Sequence, residues 1–321
     1  MTSIEVLVIG AGVSGLTTAI LLAESGLRVA VRTRELPRDT HSSAAGAIWG
    51  PFLATHQHLS KWSLETLAAL RVLAGDPDTG VKLLDGLEAA RGTEPVSGPE
   101  PPEWITQLDG TPCPPGQLPK GFAYGWRFIA PVANMPAYLD YLTRRLAKAG
   151  ADLTLGTVTS LADAVREAPV VVNCTGLGAR ELAGDDEVVP VRGQLVIVEN
   201  PGIDRFFGEH ASDFGEPTYF LPHGDHVVLG GTAEHGRADV GHDHRAAGAI
   251  VDRCAAVEPA LRDARVLSHR VGIRPSRSSV RVEHVPVHGR SVIHNYGHGG
   301  SGFSLSWGCA REVVRMVHAV A

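Results

Sequence analysis

Residues 4–16 read IEVLVIGAGVSGL, a β-branched apolar run that passes straight into Gly10-Ala11-Gly12-Val13-Ser14-Gly15. A short run without alternation marks a parallel strand buried on both faces. The glycines match GxGxxG: the first permits a tight turn, the second lets the backbone approach a pyrophosphate, and the third packs helix close on strand. A helix is predicted over residues 14–23, with Leu16, Thr17, Ala19, Ile20 and Ala23 on one face, Gly26 as its stop and a second strand from residue 27. The β-α-β unit therefore predicts a dinucleotide whose phosphates meet the free N–H groups and partial positive charge of the helix N-terminus. About 20 residues on, where a ribose-reading carboxylate is expected, the chain reads Val31-Arg32-Thr33-Arg34-Glu35. Glu35 stands one residue late, Thr33 offers a hydroxyl, Arg34 offers a bidentate phosphate donor, and a solvated charge cluster is the competing reading.

Working outward, residues 60–73 place Leu64, Leu67, Leu70 and Val72 at helical spacing, and the proline-rich residues 95–119 read as a long surface excursion. Asn134-Met135-Pro136 opens a helix that Gly150 closes. A buried strand over residues 169–174 runs into Thr175-Gly176, and residues 188–229 alternate strand patterns with glycine and proline signals, as an antiparallel sheet does. A helix over residues 244–257, strands over 267–273 and 280–287 and a terminal helix from about Ser301 complete the chain. The order predicts an α/β fold. A Rossmann-like cofactor domain made of residues 1–50, 135–185 and 270–321 is interleaved with a mixed, largely antiparallel substrate domain of residues 51–134 and 186–269.

Composition narrows the function. Against 35 acidic residues stand 29 Lys and Arg, a net charge of −6, so the basic field that binds nucleic acid is absent. No run approaches the roughly 20 apolar residues of a membrane span. The four cysteines, at 113, 174, 254 and 309, form no CxxC pair. Neither a zinc site nor a redox dithiol is read, and a reducing, cytoplasmic setting is expected. The glycine-broken N-terminal run makes a poor signal peptide, and the closing His-Ala-Val-Ala is no peroxisomal address. The pairs His56/His58 and His242/His244 lack the further ligands that a metal needs, so no metal is expected, and no GxSxG elbow supports a hydrolase.

Two further stretches suit the binding of an anion. Residues 294–304, HNYGHGGSGFS, set four glycines within six residues just before a helix, a second backbone cradle for a developing anion such as a reduced flavin. In Arg270-Val271-Gly272-Ile273-Arg274-Pro275, strand alternation puts both arginines and Gly272 on one face. Arg274, beside a ladder-ending proline, can clamp a carboxylate, and a structural salt bridge fits the pattern equally well.

Together these segments resemble the D-amino-acid oxidase family, flavoproteins of the glutathione-reductase-like FAD fold. The resembling pieces are VIGAGVSGL (8–16), AAGAIWGPF (44–52), VVNCTG (171–176), TYFLP (218–222), VLGGT (228–232), VGIRPSR (271–277) and HNYGHGGSGFSLSWGCA (294–310). The resemblance implies that Arg274 and Tyr219 hold the substrate carboxylate and that the Gly300 carbonyl accepts from the amine. It assigns noncovalent FAD to Gly10, Gly12, Val13, Ser14 and Gly15, and to Thr40, Ser42, Ser43, Gly46, Ala47, Ile48 and Trp49. Val158, Thr175 and Gly176 join them on the adenosine side, and Gly299, Gly300, Ser301, Gly302, Phe303, Ser304 and Arg274 around the flavin. Arg34 matches a family FAD contact, whereas Thr33 replaces an acidic ribose partner.

The activity implied is oxidative deamination of neutral and apolar D-amino acids by hydride transfer to FAD, with dioxygen reduced to hydrogen peroxide. Where the D-aspartate branch carries a cation, this chain has Phe52 and Ala233, both apolar, although Arg237 or His235 stands close enough in sequence to substitute. Residues 209–216 hold no tyrosine, which argues against a tyrosine-bearing lid. D-aspartate oxidation, glycine or sarcosine oxidation, and flavin binding without turnover are the alternatives. The partners expected are the D-amino acid and dioxygen, with no nucleic acid or membrane, and the oligomeric state, a homodimer included, stays open.

Overall fold

The computed structural model describes residues 4–51, 53–92, 100–210 and 216–320. The decisive N-terminal run is the strand Val6–Ile9, every residue of it buried, leading into the helix Val13–Glu24. Around it the strands Asp152–Leu155, Val29–Thr33, Val6–Ile9, Val170–Asn173 and Arg290–His298 pair in parallel, in that order. The sheet does not end there. Arg290–His298 pairs antiparallel with the 22-residue strand Val266–Val287, which pairs in turn with Val189–Glu199. Beyond lie His226–Gly230, Tyr219–Pro222, Phe206–Glu209, Val81–Ala90 and Tyr124–Ala133, with one parallel pairing, between Val81–Ala90 and Phe206–Glu209. One sheet thus runs through both the parallel and the largely antiparallel portion.

The junction is the long strand. Its register shifts between Ser276 and Arg281, so its first part serves the antiparallel portion and its second the parallel one. Residues 267–273 and 280–287, expected as two strands, are one, because the bulged segment is tied down instead of turning away. Buried Asp185 accepts from Arg277 at 3.0 Å, Arg281 at 3.2 Å and the Tyr296 hydroxyl at 2.8 Å. Hydrogen bonds and nearby guanidinium groups outweigh burial and hold its carboxyl below the usual range.

The parallel portion packs on the helices Val13–Glu24, Met135–Lys148 and Gly302–Val320, which share one core. The Asn134 side chain caps the second of them, and the Trp307 indole N–H donates to the Tyr138 hydroxyl at 2.8 Å. Leu59–Leu73 forms as expected but turns a different face inward: Trp62, Thr66, Leu67 and Leu70 are buried, while Leu64 and Val72 face solvent. The cause lies in the terminal helix, where Gly308 admits the Trp62 backbone and its N–H donates to Thr66 Oγ1 at 2.9 Å. The proline-rich stretch also departs from a surface excursion. Residues 93–99 lie outside the described residues, but Ile105, Leu108 and Cys113 are buried and Thr111–Pro112 extends the sheet.

The antiparallel portion has two covered faces. His244–Val257, capped by Asp243, lies on one over Val196, Val198, Phe207, Phe220, Val227 and Leu229. The other looks toward the glycine-rich cradles.

Candidate active site

The first cradle forms where strand ends meet helix. A Cβ on Gly10 would stand 2.5 Å from the Cys174 carbonyl oxygen, and one on Gly15 would strike the Gly10 carbonyl, so only glycine lets these segments close. The Val13 N–H donates to Ser42 Oγ at 3.1 Å, bringing residues 40–44 over the helix N-terminus. Thr40 and Ser43 spend their hydroxyls within that turn, on the Pro37 and Thr40 carbonyls. Thr175 stands beside Gly10, its hydroxyl donating to Asn173 Oδ1 at 2.7 Å, with Gly176 next to it. Ser14, one residue into the helix, follows the amide that Ser42 holds.

At the second strand, Thr33 is buried and donates to the Glu35 carbonyl at 2.8 Å. Arg34 pairs with Glu35 at 2.8 Å on the surface through Nη2. Val158 is half-buried against Leu7, Ile9 and Ala30, the apolar back of the parallel sheet.

The second cradle is built by the turn Gly299–Ser301 and the helix Gly302–Val320. Ser301 Oγ accepts from the Leu53 N–H at 3.2 Å, and Ser304 Oγ accepts from the Gly50 N–H at 2.9 Å. Gly50 and Leu53 are thereby fastened across the helix start. Gly300 is exposed, while Phe303 is core, edge-on to Tyr138. Trp49 is core too: fully buried, with its indole N–H on the Ser63 carbonyl at 3.1 Å, it can offer a cofactor only its backbone. Ile48 bridges to Val132, and Ala47 holds a positive φ of 31°, an unfavourable conformation for a residue with a Cβ. Beneath the turn His298 is buried with Nε2 unpartnered, and burial pushes it down to about 4, so it is neutral at pH 7.

Between the cradles and the antiparallel sheet stand Tyr219 and Arg274. Tyr219 faces Gly230 across the register, and its ring lies where a Cβ of Gly230 would be. A Cβ on Gly46 would sit 3.1 Å from the Tyr219 hydroxyl oxygen, so the cofactor-side segment touches the ring. Burial raises the hydroxyl's pKa despite the nearby Arg274 charge, which keeps it a donor. The Arg274 guanidinium covers Gly193, whose Cβ would lie 2.5 Å from Nη1, and Nη1 donates to the Thr232 carbonyl at 3.1 Å. Among the described residues no carboxylate pairs with it. A cation that is half-buried and short of an anion, beside a buried hydroxyl donor, fits a ligand carboxylate.

Arg237 is engaged by Asp239 at 3.0 Å and by Glu234. Phe52 and residues 211–215, on which the apolar-pocket and lid expectations partly rest, lie outside the described residues. Sequence reasoning missed Gly193 and Thr232, which seat Arg274. A glycine inside a strand pattern, as in VPVRGQLVIVE, marks close approach of another group and was the available signal. No group of three or more His, Cys, Asp or Glu suited to a metal occurs among the described residues.

The two cradles suit FAD: backbone amides and helix N-termini for its phosphates and flavin, with no side chain where the glycines stand. The family model for FAD dependent oxidoreductases (DAO) matches residues 5–316. A D-amino-acid oxidase of Rubrobacter xylanophilus is 47% identical over 315 residues, 97% of this chain and 95% of that protein. One from Streptomyces coelicolor is 45% identical over 316 residues, 97% of this chain and 96% of that protein. Among solved structures, glycine oxidase from Geobacillus kaustophilus superposes with a TM-score of 0.82 at 20% identity, covering 100% of this chain and 96% of the other.

Proposed function

The chain belongs to the FAD dependent oxidoreductase family, and from that premise we propose that it oxidises D-amino acids to imino acids, which water converts to 2-oxo acids and ammonia. The observation that carries this reading is the Arg274 guanidinium, short of a carboxylate and set beside the protonated Tyr219 hydroxyl. FAD held by the glycine cradles at Gly10–Gly15 and Gly299–Gly302 would supply a two-electron acceptor for the hydride of the substrate Cα, with dioxygen reduced to hydrogen peroxide as the final acceptor.

This chain's residues orient the substrate. Arg274 and Tyr219 hold the carboxylate by charge-assisted hydrogen bonds, and the Gly300 carbonyl accepts from the amine. With the carboxylate and the amine fixed and the side chain directed to the substrate side, only one enantiomer presents its Cα hydrogen to the second cradle. The helix starting at Gly302 directs its positive end to that cradle, where negative charge develops. Tyr219, held protonated, donates and takes no proton, which fits a reaction driven by orientation.

In this reading residues 1–50, 135–185 and 270–321 hold the cofactor, and residues 51–134 and 186–269 shape the substrate side. Neutral and apolar D-amino acids are preferred to D-aspartate, because Ala233 supplies no second cation and Arg237 is already paired. No described helix is long and apolar enough to cross a membrane, and four buried free cysteines favour a reducing, cytoplasmic setting. Steady-state kcat/KM values for D-methionine, D-valine, D-alanine and D-aspartate test the preference. The neutral substrates should lead, and D-aspartate equal to the best of them would overturn it.

A further inference from the structure

The face that bears Tyr219 continues past it onto two more strands. Tyr219 stands opposite Gly208, Gly208 opposite Glu88, and Glu88 opposite Trp126, so all four positions share that face. His210, two residues beyond Gly208, shares it as well. Glu88 lies two strand spacings from Tyr219, about 10 Å. Among the described residues, a Cβ on Gly208 would meet nothing nearer than Glu88 Oε2, at 4.0 Å.

The far position holds a carboxylate. His210 Nδ1 donates to Glu88 Oε1 at 2.5 Å, and Trp126 packs edge-on to the imidazole at 5.5 Å. Oε2 faces the space above Gly208. The nearby Arg91 is taken by Glu209 at 2.7 Å, and among the described residues no lysine or arginine pairs with Glu88. Burial raises the Glu88 carboxyl, as expected of a carboxylate short of cations, and its hydrogen bond raises His210.

We propose that Glu88, set beyond Gly208 on the face that bears Tyr219, is a specificity-determining residue that accepts the terminal ammonium or guanidinium of a long D-amino acid and repels a terminal carboxylate. The proposal rests on Arg274 and Tyr219 as the clamp for the α-carboxylate, which fixes the end from which the side chain extends. Short side chains such as that of D-alanine do not reach Glu88 and are indifferent to it. His210 opposes the selection, since its protonated form supplies a competing cation.

The test compares D-lysine with D-norleucine, which lacks the terminal amine, on FAD-loaded wild type, Glu88→Gln and His210→Gln, with flavin content and melting temperature as controls. Glu88→Gln should lower the D-lysine to D-norleucine ratio of kcat/KM by about tenfold, the loss of one charge-assisted hydrogen bond. His210→Gln should move the ratio the opposite way, up by about two- to fivefold. A purely structural pair would change both substrates together and leave the ratio alone in both variants, which overturns the proposal. Should Glu88→Gln fail to fold, a ratio unchanged or lowered in His210→Gln still overturns it. Absence of turnover with D-norleucine in the wild type would instead defeat the D-amino-acid reading on which the proposal rests.

Discussion

Arg192 and Arg274 lie on paired strands one register step apart, Arg192 opposite Ile273 and Arg274 opposite Val191, yet the protein satisfies one and leaves the other wanting. Arg192 is fully buried, bound to Glu234, to Gln194 Oε1 at 3.1 Å, to the Asp239 carbonyl at 3.1 Å and to the Gly241 carbonyl. Arg274, on the opposite face, has one carbonyl. A guanidinium carries five donors in a fixed fork. Where the fold fills the fork, the arginine is structural. Where it leaves the fork open beside a buried hydroxyl, the remaining donors await a ligand anion. The two are coupled through Thr232, whose carbonyl holds Arg274 while its hydroxyl accepts from the Gln194 N–H at 2.9 Å and donates to Glu234.

The contrast breaks most visibly under substitution. Arg274→Ala should lower kcat/KM by at least about a hundredfold, through a lost charge-assisted contact of about 1.5 to 3 kcal/mol and lost orientation, with FAD content and melting temperature nearly unchanged. Arg274→Lys should recover little, since an ammonium lacks the planar fork. Arg192→Met should do the reverse, costing about 3 kcal/mol of stability in denaturant unfolding while flavin-loaded protein keeps most of its turnover. Equal loss of activity in both variants would erase the distinction drawn here.

Acid offers a second comparison, between His298 under the second cradle and Asp239 beside Arg192. His298 has its pKa depressed by burial from 6.5 to about 4. The unfolded chain therefore takes up a proton before the folded one, and stability falls as pH drops from about 6.5 to about 4, by up to about 3 kcal/mol. Asp239, held below its usual range chiefly by the Arg237 hydrogen bond, releases its contribution only as pH falls through a value under 3.8. Unfolding midpoints measured across these windows should show the main loss in the upper one, and a loss confined to the lower would place the weak point at the Arg192 network. The smallest effect is expected from Tyr219→Phe. It removes one hydroxyl donor from the clamp, a loss of about 1 kcal/mol that appears as a five- to tenfold fall in kcat/KM.

Local patterns made the parallel portion readable. Residues 4–16 contain strand, turn and helix in one stretch, and Pro136 with Gly150 brackets a helix by backbone chemistry alone. What could not be read depends on register between distant segments. Gly193 in its strand signals that some group approaches closely, but nothing near it identifies that group as Arg274, 81 positions on (274 − 193 = 81). Nor does the leucine pattern of residues 59–73 show that Trp62 and Thr66 face inward, because Gly308 decides that. At the site, the resemblance assigned Trp49 to the cofactor, but packing turns its ring into the core, and only the three-dimensional arrangement distinguishes a side-chain contact from a backbone one.

The most direct measurement is anaerobic bleaching of the bound flavin by D- and L-methionine, in the wild type and in Arg274→Ala. The expected result is rapid bleaching of the wild type by the D-enantiomer alone, slowed at least about a hundredfold in the variant. Bleaching by both enantiomers alike, or at the same rate in Arg274→Ala, would contradict the assignment of Arg274 as the open guanidinium that orients a D-amino acid.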